Sequence, residues 1–303
     1  MKKRILHFCF SILCTTLFGQ INEREIVLPI SGGVLVGTLS TPNLPSYPLA
    51  ILVAGSGPTD RDGNSGPFKA NNLKKLSDSL VRHGIATFRF DKRGVGKSSL
   101  GVPKEDSLTI DTYVADLVMW HEYHRKNPTI KRFYILGHSE GSLMGILAAQ
   151  KIQPDGFVSI AGVGNSADIL LKKQLMQTPA SVKQSSYVII DSLRKNKPVP
   201  FVPMDLMPLF RPSVQPYLKS WMRYKPNQEL RKLNCPSLIV QGTRDAQVDV
   251  QEAYLLIGGN PKAQLELIDH MNHVLFDERN GPRDYVGQAI AKPLIEKLVL
   301  FIK

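Results

Sequence analysis

The chain has 303 residues, 43% of them hydrophobic, and a formal net charge of +12. That length suits one large α/β domain plus an insertion, and the apolar share is that of a globular chain, which excludes disordered and fibrous classes. The basic excess comes with no aromatic-interleaved basic patch and no recognition motif, so nucleic-acid binding is set aside.

Met1-Lys2-Lys3-Arg4 followed by the apolar run 5–18 reads as a secretory signal, because the run is too short to span a bilayer. Residues 1–20 are therefore predicted to be removed, with cleavage near Gly19 or Gln20 and export to a periplasmic or extracellular site. An uncleaved anchor is the alternative, disfavoured by His7 and by the serines and threonines of the run. Cys9 and Cys14 lie inside this signal, and Cys235 alone would remain in the mature chain, too few for an internal disulfide. Loss of Lys2, Lys3 and Arg4 leaves 35 basic and 26 acidic residues. Neither C-x-x-C nor H-E-x-x-H occurs, and no metal or cofactor is expected.

Residues 23–29 and 33–40 read as two strands joined by a Ser31-Gly32-Gly33 turn. Strand 49–54 runs into Gly55-Ser56-Gly57-Pro58. A helix is predicted over 69–83, with Leu73, Leu76 and Leu80 on one face and Gly84 where a C-terminal cap belongs. Strand 85–90 follows. A helix over 111–126 buries Val114, Leu117 and Val118 and stops at Pro128. Strand 132–136, helix 139–151 and strand 156–161 continue the alternation. The class is α/β, with a mostly parallel central sheet covered by helices on both faces.

The alternation breaks after Gly162 and resumes at Pro236 with strand 236–242, a helix beginning near Val250, strand 264–268 and a final helix 292–302. The stretch between is mostly helical and punctuated by proline, as in Val199-Pro200-Phe201-Val202-Pro203. An insertion there would lie over the carboxyl ends of the strands, where ligands bind. The predicted organisation is thus a core of 21–162 and 235–303 and a helical lid of 163–234. Met204, Leu206, Met207, Leu209, Phe210, Trp221 and Met222 either line an acyl pocket or form the lid's own core. The second is preferred for most of them, since a helical insertion must bury something. The lid holds 12 Lys and Arg against Asp168, Asp191, Asp205 and Glu229. A solvated outer face is the preferred reading. The alternative is weak electrostatic attraction to anionic substrates or envelope polymers.

The chemistry centres on Gly137-His138-Ser139-Glu140-Gly141, a G-x-S-x-G between a β-favouring run and a helical pattern. A serine on such a sharp strand-to-helix turn projects its hydroxyl outward, and the helix start points an amide at developing negative charge. A serine hydroxyl needs a base, and the base needs an orienting acid. Chains with this elbow supply them in the order Ser, then Asp or Glu, then His. Asp245, in the loop leaving strand 236–242, is the candidate acid, with Asp249 as rival. His273, beyond strand 264–268, is the candidate base, with His270 as rival. The oxyanion hole is assigned to the backbone N–H groups of Glu140 and Ser56, with Gly57 the next choice for the second.

Two other motifs mislead. Gly94-Val95-Gly96-Lys97-Ser98 looks like the tail of a phosphate loop, but Asp91 stands where that loop needs its first glycine. Asp60-Arg61-Asp62-Gly63-Asn64 hints at a calcium loop without its glycine or closing glutamate in register, and reads as a self-bonded acidic turn.

Together with Phe90-Asp91-Lys92-Arg93, Gly242-Thr243-Arg244-Asp245 and Met271-Asn272-His273, these segments resemble the α/β-hydrolase superfamily, from about residue 23 to the C-terminus. The likeness is to its bacterial serine carboxylesterase, or serine aminopeptidase-like, branch. Members often carry His-Gly where this chain has Ala54-Gly55. The resemblance implies an α/β-hydrolase fold with a helical lid and acyl transfer from a small-molecule ester to water. A histidine base implies a rate that rises from mildly acid to neutral pH. The competing readings are a peptidase acting on a free amino terminus, which wants an acidic anchor that the lid supplies poorly, and a non-catalytic binding module on the same fold. Oligomeric state is not legible.

Overall fold

A computed structural model describes residues 21–99, 104–279, 281, 285 and 287–303, and the predicted signal 1–20 lies outside them. Eight strands form one sheet: β1 (Asn22–Ile30), β2 (Gly33–Thr41), β3 (Tyr47–Val53), β4 (Ala86–Phe90), β5 (Ile130–His138), β6 (Gly156–Ile160), β7 (Ser237–Gly242) and β8 (Gln264–Ile268). Their order is β1-β2-β4-β3-β5-β6-β7-β8. β1 and β2 form the expected opening hairpin, with Ile30 opposite Gly33, and β2 runs antiparallel to β4. From β4 through β8 every pairing is parallel.

Alternation along the strands sorts side chains to two faces. In β3, Leu49, Ile51 and Val53 face α2 (Ile110–His124) and α3 (Glu140–Ile152). Ala50 and Leu52 face α1 (Asn72–Arg82) and α10 (Lys292–Ile302), through Leu76, Leu80, Leu294 and Leu298. Burial of both faces explains why these strands read as continuous apolar runs. The α2 helix starts at a Thr109 cap whose hydroxyl accepts from the Thr112 amide. It carries Trp120 to the interior, 4.6 Å from the Phe88 ring.

The α1 helix begins at Asn72 and not at residue 69. The Asn71 amide donates to Asn64 Oδ1 and the Asn64 amide side chain returns a bond to Asn71 Oδ1, which holds the preceding residues in the loop.

Between β6 and β7 the chain forms α4 (Ala167–Gln174), α5 (Ala180–Arg194), α6 (Met207–Phe210), α7 (Gln215–Met222) and α8 (Pro226–Leu230), and α9 (Val250–Gly259) follows β7. Leu206, Phe210, Trp221 and Met222 are buried in an apolar cluster continuous with the α2/α3 side of the core. Met204 is 85% exposed. The start of the segment is tied down by Glu252 of α9, whose carboxylate accepts the Gly164 and Asn165 amides. Many of its cations are paired: Lys172 with Asp191, Lys173 with Asp249, Arg194 with Asp168, Arg211 with Glu105, Arg223 with Asp111 and Lys232 with Glu229.

Candidate active site

The chain turns from β5 into α3 within one residue. Ser139 has φ 55° and ψ −123°, a left-handed backbone that costs a non-glycine residue roughly 1–3 kcal/mol and persists where the surroundings enforce it. Its neighbours enforce it. A Cβ on Gly137 would stand 2.3 Å from Gly141 O, and one on Gly141 would stand 2.3 Å from Val53 O. Both glycines of the motif are required because α3, β5 and β3 touch backbone to backbone at this point. The Ser139 amide donates to Ile160 O at 2.9 Å, anchoring the elbow to β6.

Asp245, in the loop after β7, is buried and its side chain has no solvent exposure. One oxygen accepts the Gln247 and Val248 amides, each at 2.9 Å. The other accepts from Gln241 Nε2 at 3.1 Å and from His273 Nδ1 at 2.8 Å. Burial works to raise the Asp245 carboxyl, but its hydrogen bonds to His273 and to the two amides outweigh it and hold the group below its ordinary value. It is therefore ionised, so Nδ1 of His273 carries the proton and Nε2 is left as a lone pair.

The loop that presents His273 is braced from both ends. The Asn272 side chain accepts from the Phe276 amide and donates to Glu278, and the Arg244 amide donates to Met271 O. His138 packs on the His273 ring with centroids 4.9 Å apart, and its Nε2 lies 2.8 Å from His273 O. A carbonyl only accepts, so Nε2 of His138 bears the hydrogen. Burial, reinforced by the nearby His273, pushes the His138 imidazole down to about 4 and keeps it neutral.

Ser139 and His273 open on one cavity of about 220 Å³, with Gly55, Ser56, Phe68 and Gln247 among its walls. The hydrogen bonds among the described residues do not include one from Ser139 Oγ to His273 Nε2; the two side chains meet at this cavity. The rivals lie elsewhere. Asp249 caps α9, accepting the Gln251 amide and pairing with Lys173. The His270 ring pairs with Asp269 at 3.2 Å.

The residues assigned as oxyanion donors lie on either side of Ser139. Glu140 opens α3, where an amide has no partner within the helix. A Cβ on Gly55 would come within 3.2 Å of Ser139 Cβ, so the loop bearing Ser56 lies against the elbow. Lys92 Nζ donates to Gly55 O and, at 2.8 Å, to Gly57 O, and Thr59 Oγ1 donates to Ser56 O at 2.8 Å. A second cavity, of about 360 Å³, is bordered by Gly57, Pro58, Lys92, Tyr113, Arg211 and Tyr217.

The two misleading motifs hold each other. Asp91 accepts the Arg61 side chain and amide and also the Lys97 amide, so a carboxylate of the chain itself occupies the anion position of the glycine loop. Asp60 accepts the amides of Asp62 and Asn64. Sequence reasoning missed Gln241 and His138. Gln241 was visible as a polar residue directly after the apolar run Leu238-Ile239-Val240.

A mostly parallel sheet with a serine elbow after its fifth strand, and an acid and histidine beyond later strands, defines an α/β-hydrolase. The family described as serine aminopeptidase, S33, matches residues 69–280, and the chain belongs to it. Esterase EstD of Thermotoga maritima is 26% identical over 266 residues, which are 83% of this chain and 61% of that protein. The chain thus spans about three fifths of the length of this curated relative. Among solved structures, Est1E from Butyrivibrio proteoclasticus aligns with a TM-score of 0.61 at 17% identity, covering 91% of this chain and 96% of that one. GrgF from Penicillium sp. sh18 aligns with a TM-score of 0.64 at 15% identity, covering 93% and 98%. At these identities the structures show likeness of fold.

Proposed function

We propose that this protein is a serine hydrolase that cleaves carboxylic esters through an acyl-enzyme. His273 Nε2 takes the proton of Ser139 as Oγ attacks the ester carbonyl. The amides of Ser56 and Glu140 stabilise the oxyanion. Collapse breaks the bond to the alcohol, which leaves with the proton from Nε2, and water then repeats the sequence on the acylated serine. Asp245 fixes the imidazole tautomer throughout. The observation that carries this reading is the 2.8 Å Asp245–His273 hydrogen bond behind a histidine that shares its cavity with Ser139.

The family description raises the aminopeptidase reading. Against it, the described residues that line the Ser139 cavity include no Asp or Glu to hold a free α-amino group. The name of the Thermotoga maritima relative leans the same way. Purified protein is assayed on a short nitrophenyl ester and on an aminoacyl nitroanilide, with Ser139→Ala as control. Ester turnover that disappears in Ser139→Ala is the expected result. Anilide cleavage with the higher kcat/KM would move the assignment to a peptidase. Absence of fluorophosphonate labelling in the parent would leave the binding module.

A further inference from the structure

Two buried titratable groups at this site have no part in the proton relay. Lys92 leaves β4 and turns inward until 2% of it is exposed. Its ammonium donates to the carbonyls of Gly55 and Gly57 and stands 5.8 Å from the Tyr113 ring centre. Glu140 is equally buried, and neither of its carboxylate oxygens has a hydrogen-bond partner. Lys92 is the charge that bears on it. A buried carboxylate without hydrogen bonds is costly, and a buried ion pair is a poor source of stability compared with apolar residues of the same volume.

The peptide geometry shows what Lys92 accomplishes. A trans peptide directs its N–H opposite to its C=O, and the described residues contain no cis bond. Gripping Gly55 O therefore turns the Ser56 N–H away from Lys92, and the grip on Gly57 O fixes the far side of the same turn. Glu140 belongs to the same arrangement, because its own amide is the second proposed donor.

We propose that Lys92 and Glu140 are a positioning pair for the oxyanion hole: Lys92 sets the direction of the Ser56 N–H, and Glu140 supplies the countercharge that keeps Lys92 an ammonium. The proposal rests on the esterase reading, since without acyl transfer there is no oxyanion to hold. Electrostatics explains the need for the countercharge. Burial drives the Lys92 ammonium toward its neutral form and raises the Glu140 carboxyl to about 7, and the mutual attraction of the pair opposes both shifts. A neutral amine has fewer protons to offer two carbonyls.

Four proteins test this: the parent, Lys92→Met, Glu140→Gln and the double variant, with Ser139→Ala as reference. A misplaced oxyanion donor predicts kcat on a short nitrophenyl ester lower by about 10²-fold in Lys92→Met. KM should stay within about three-fold, because the interaction is made in the transition state. Glu140 acts through Lys92, so the double variant should be no slower than Lys92→Met alone, and its melting temperature should match or exceed the parent's because no charge stays buried. Where Lys92→Met folds poorly, the double variant carries the comparison. A folded double variant with the parent's kcat overturns the proposal, as does a loss confined to KM or a fall in activity that only tracks melting temperature. If Ser139→Ala keeps the parent's turnover, the esterase reading itself fails. If Ser139→Ala is silent and the double variant is parent-like, only the positioning pair fails.

Discussion

Replacing Asp245 by asparagine gives the sharpest consequence of the hydrogen bonding around it. Oδ1 receives two backbone amides, from Gln247 and Val248, which cannot turn round. The asparagine must therefore keep its carbonyl oxygen there and present its NH2 to Gln241 Nε2 and His273 Nδ1. An N–H facing Nδ1 selects the tautomer with a lone pair at Nδ1 and the hydrogen on Nε2, the atom that must accept the serine proton. Loss of the correct tautomer costs about 10⁴ in kcat, about 5 kcal/mol of transition-state stabilisation. The donor–donor contact with Gln241 costs about 1–3 kcal/mol of folding stability, and Gln241 retains its 2.7 Å bond to Val248 O. Asp249→Asn is the matched control. Asparagine caps a helix as well as aspartate does, and an ion pair as exposed as that with Lys173 is worth at most about 1 kcal/mol, so kcat should stay within about two-fold. Steady-state kinetics on a nitrophenyl ester, with urea unfolding of each variant, reads both effects. Asp245→Asn retaining a tenth of the parent's kcat, or Asp249→Asn losing ten-fold or more, would show that the Asp245 hydrogen bonds do not set the His273 tautomer.

Gly141→Ala should abolish soluble folded protein or cost more than about 4 kcal/mol, because its Cβ would lie 2.3 Å from the Val53 carbonyl and backbone cannot rotate aside; normal yield and melting temperature would show that the elbow is looser than described. His138 and His124 are both pushed down to about 4 by burial, so between their unfolded value of about 6.5 and pH 4 the unfolded chain binds more protons than the folded one. Stability is then full above that window and falls through it as pH drops, by up to about 3 kcal/mol for each histidine. Urea midpoints from pH 7.5 to 4.5 should decline, less steeply in His124→Leu, and a slope unchanged by that substitution would count against the assignment. With so many cations of the 163–234 segment in ion pairs, ester turnover should vary less than about two-fold from low to high salt; a steep fall with salt would instead favour steering of anionic substrates.

The parallel core and the elbow were legible because each obeys a local rule. Strands buried on both faces become unbroken apolar runs, and Gly137 and Gly141 are glycine because backbone passes where a Cβ would sit. The place of Asp245 in the exit loop of β7 was legible, while its bond to His273 and the cap that occupies Asp249 needed coordinates. Charge was the least legible property. Lys92 beside Arg93, and Glu140 at a helix start, look like solvated residues in a linear reading, yet each is only 2% exposed in the fold. His138 was invisible as a brace for the base loop, since its partner is a backbone carbonyl of residue 273. The loop holding back the start of α1 depended on the Asn64–Asn71 pairing, which no helical periodicity reveals.

The most direct measurement is a crystal structure of the protein inactivated by a fluorophosphonate ester. Phosphorus bonded to Ser139 Oγ is expected, with its phosphoryl oxygen about 2.7–3.1 Å from the Ser56 and Glu140 amides and His273 Nε2 facing the site vacated by the leaving group. Label on another residue, or a phosphoryl oxygen turned away from both amides, would contradict the account.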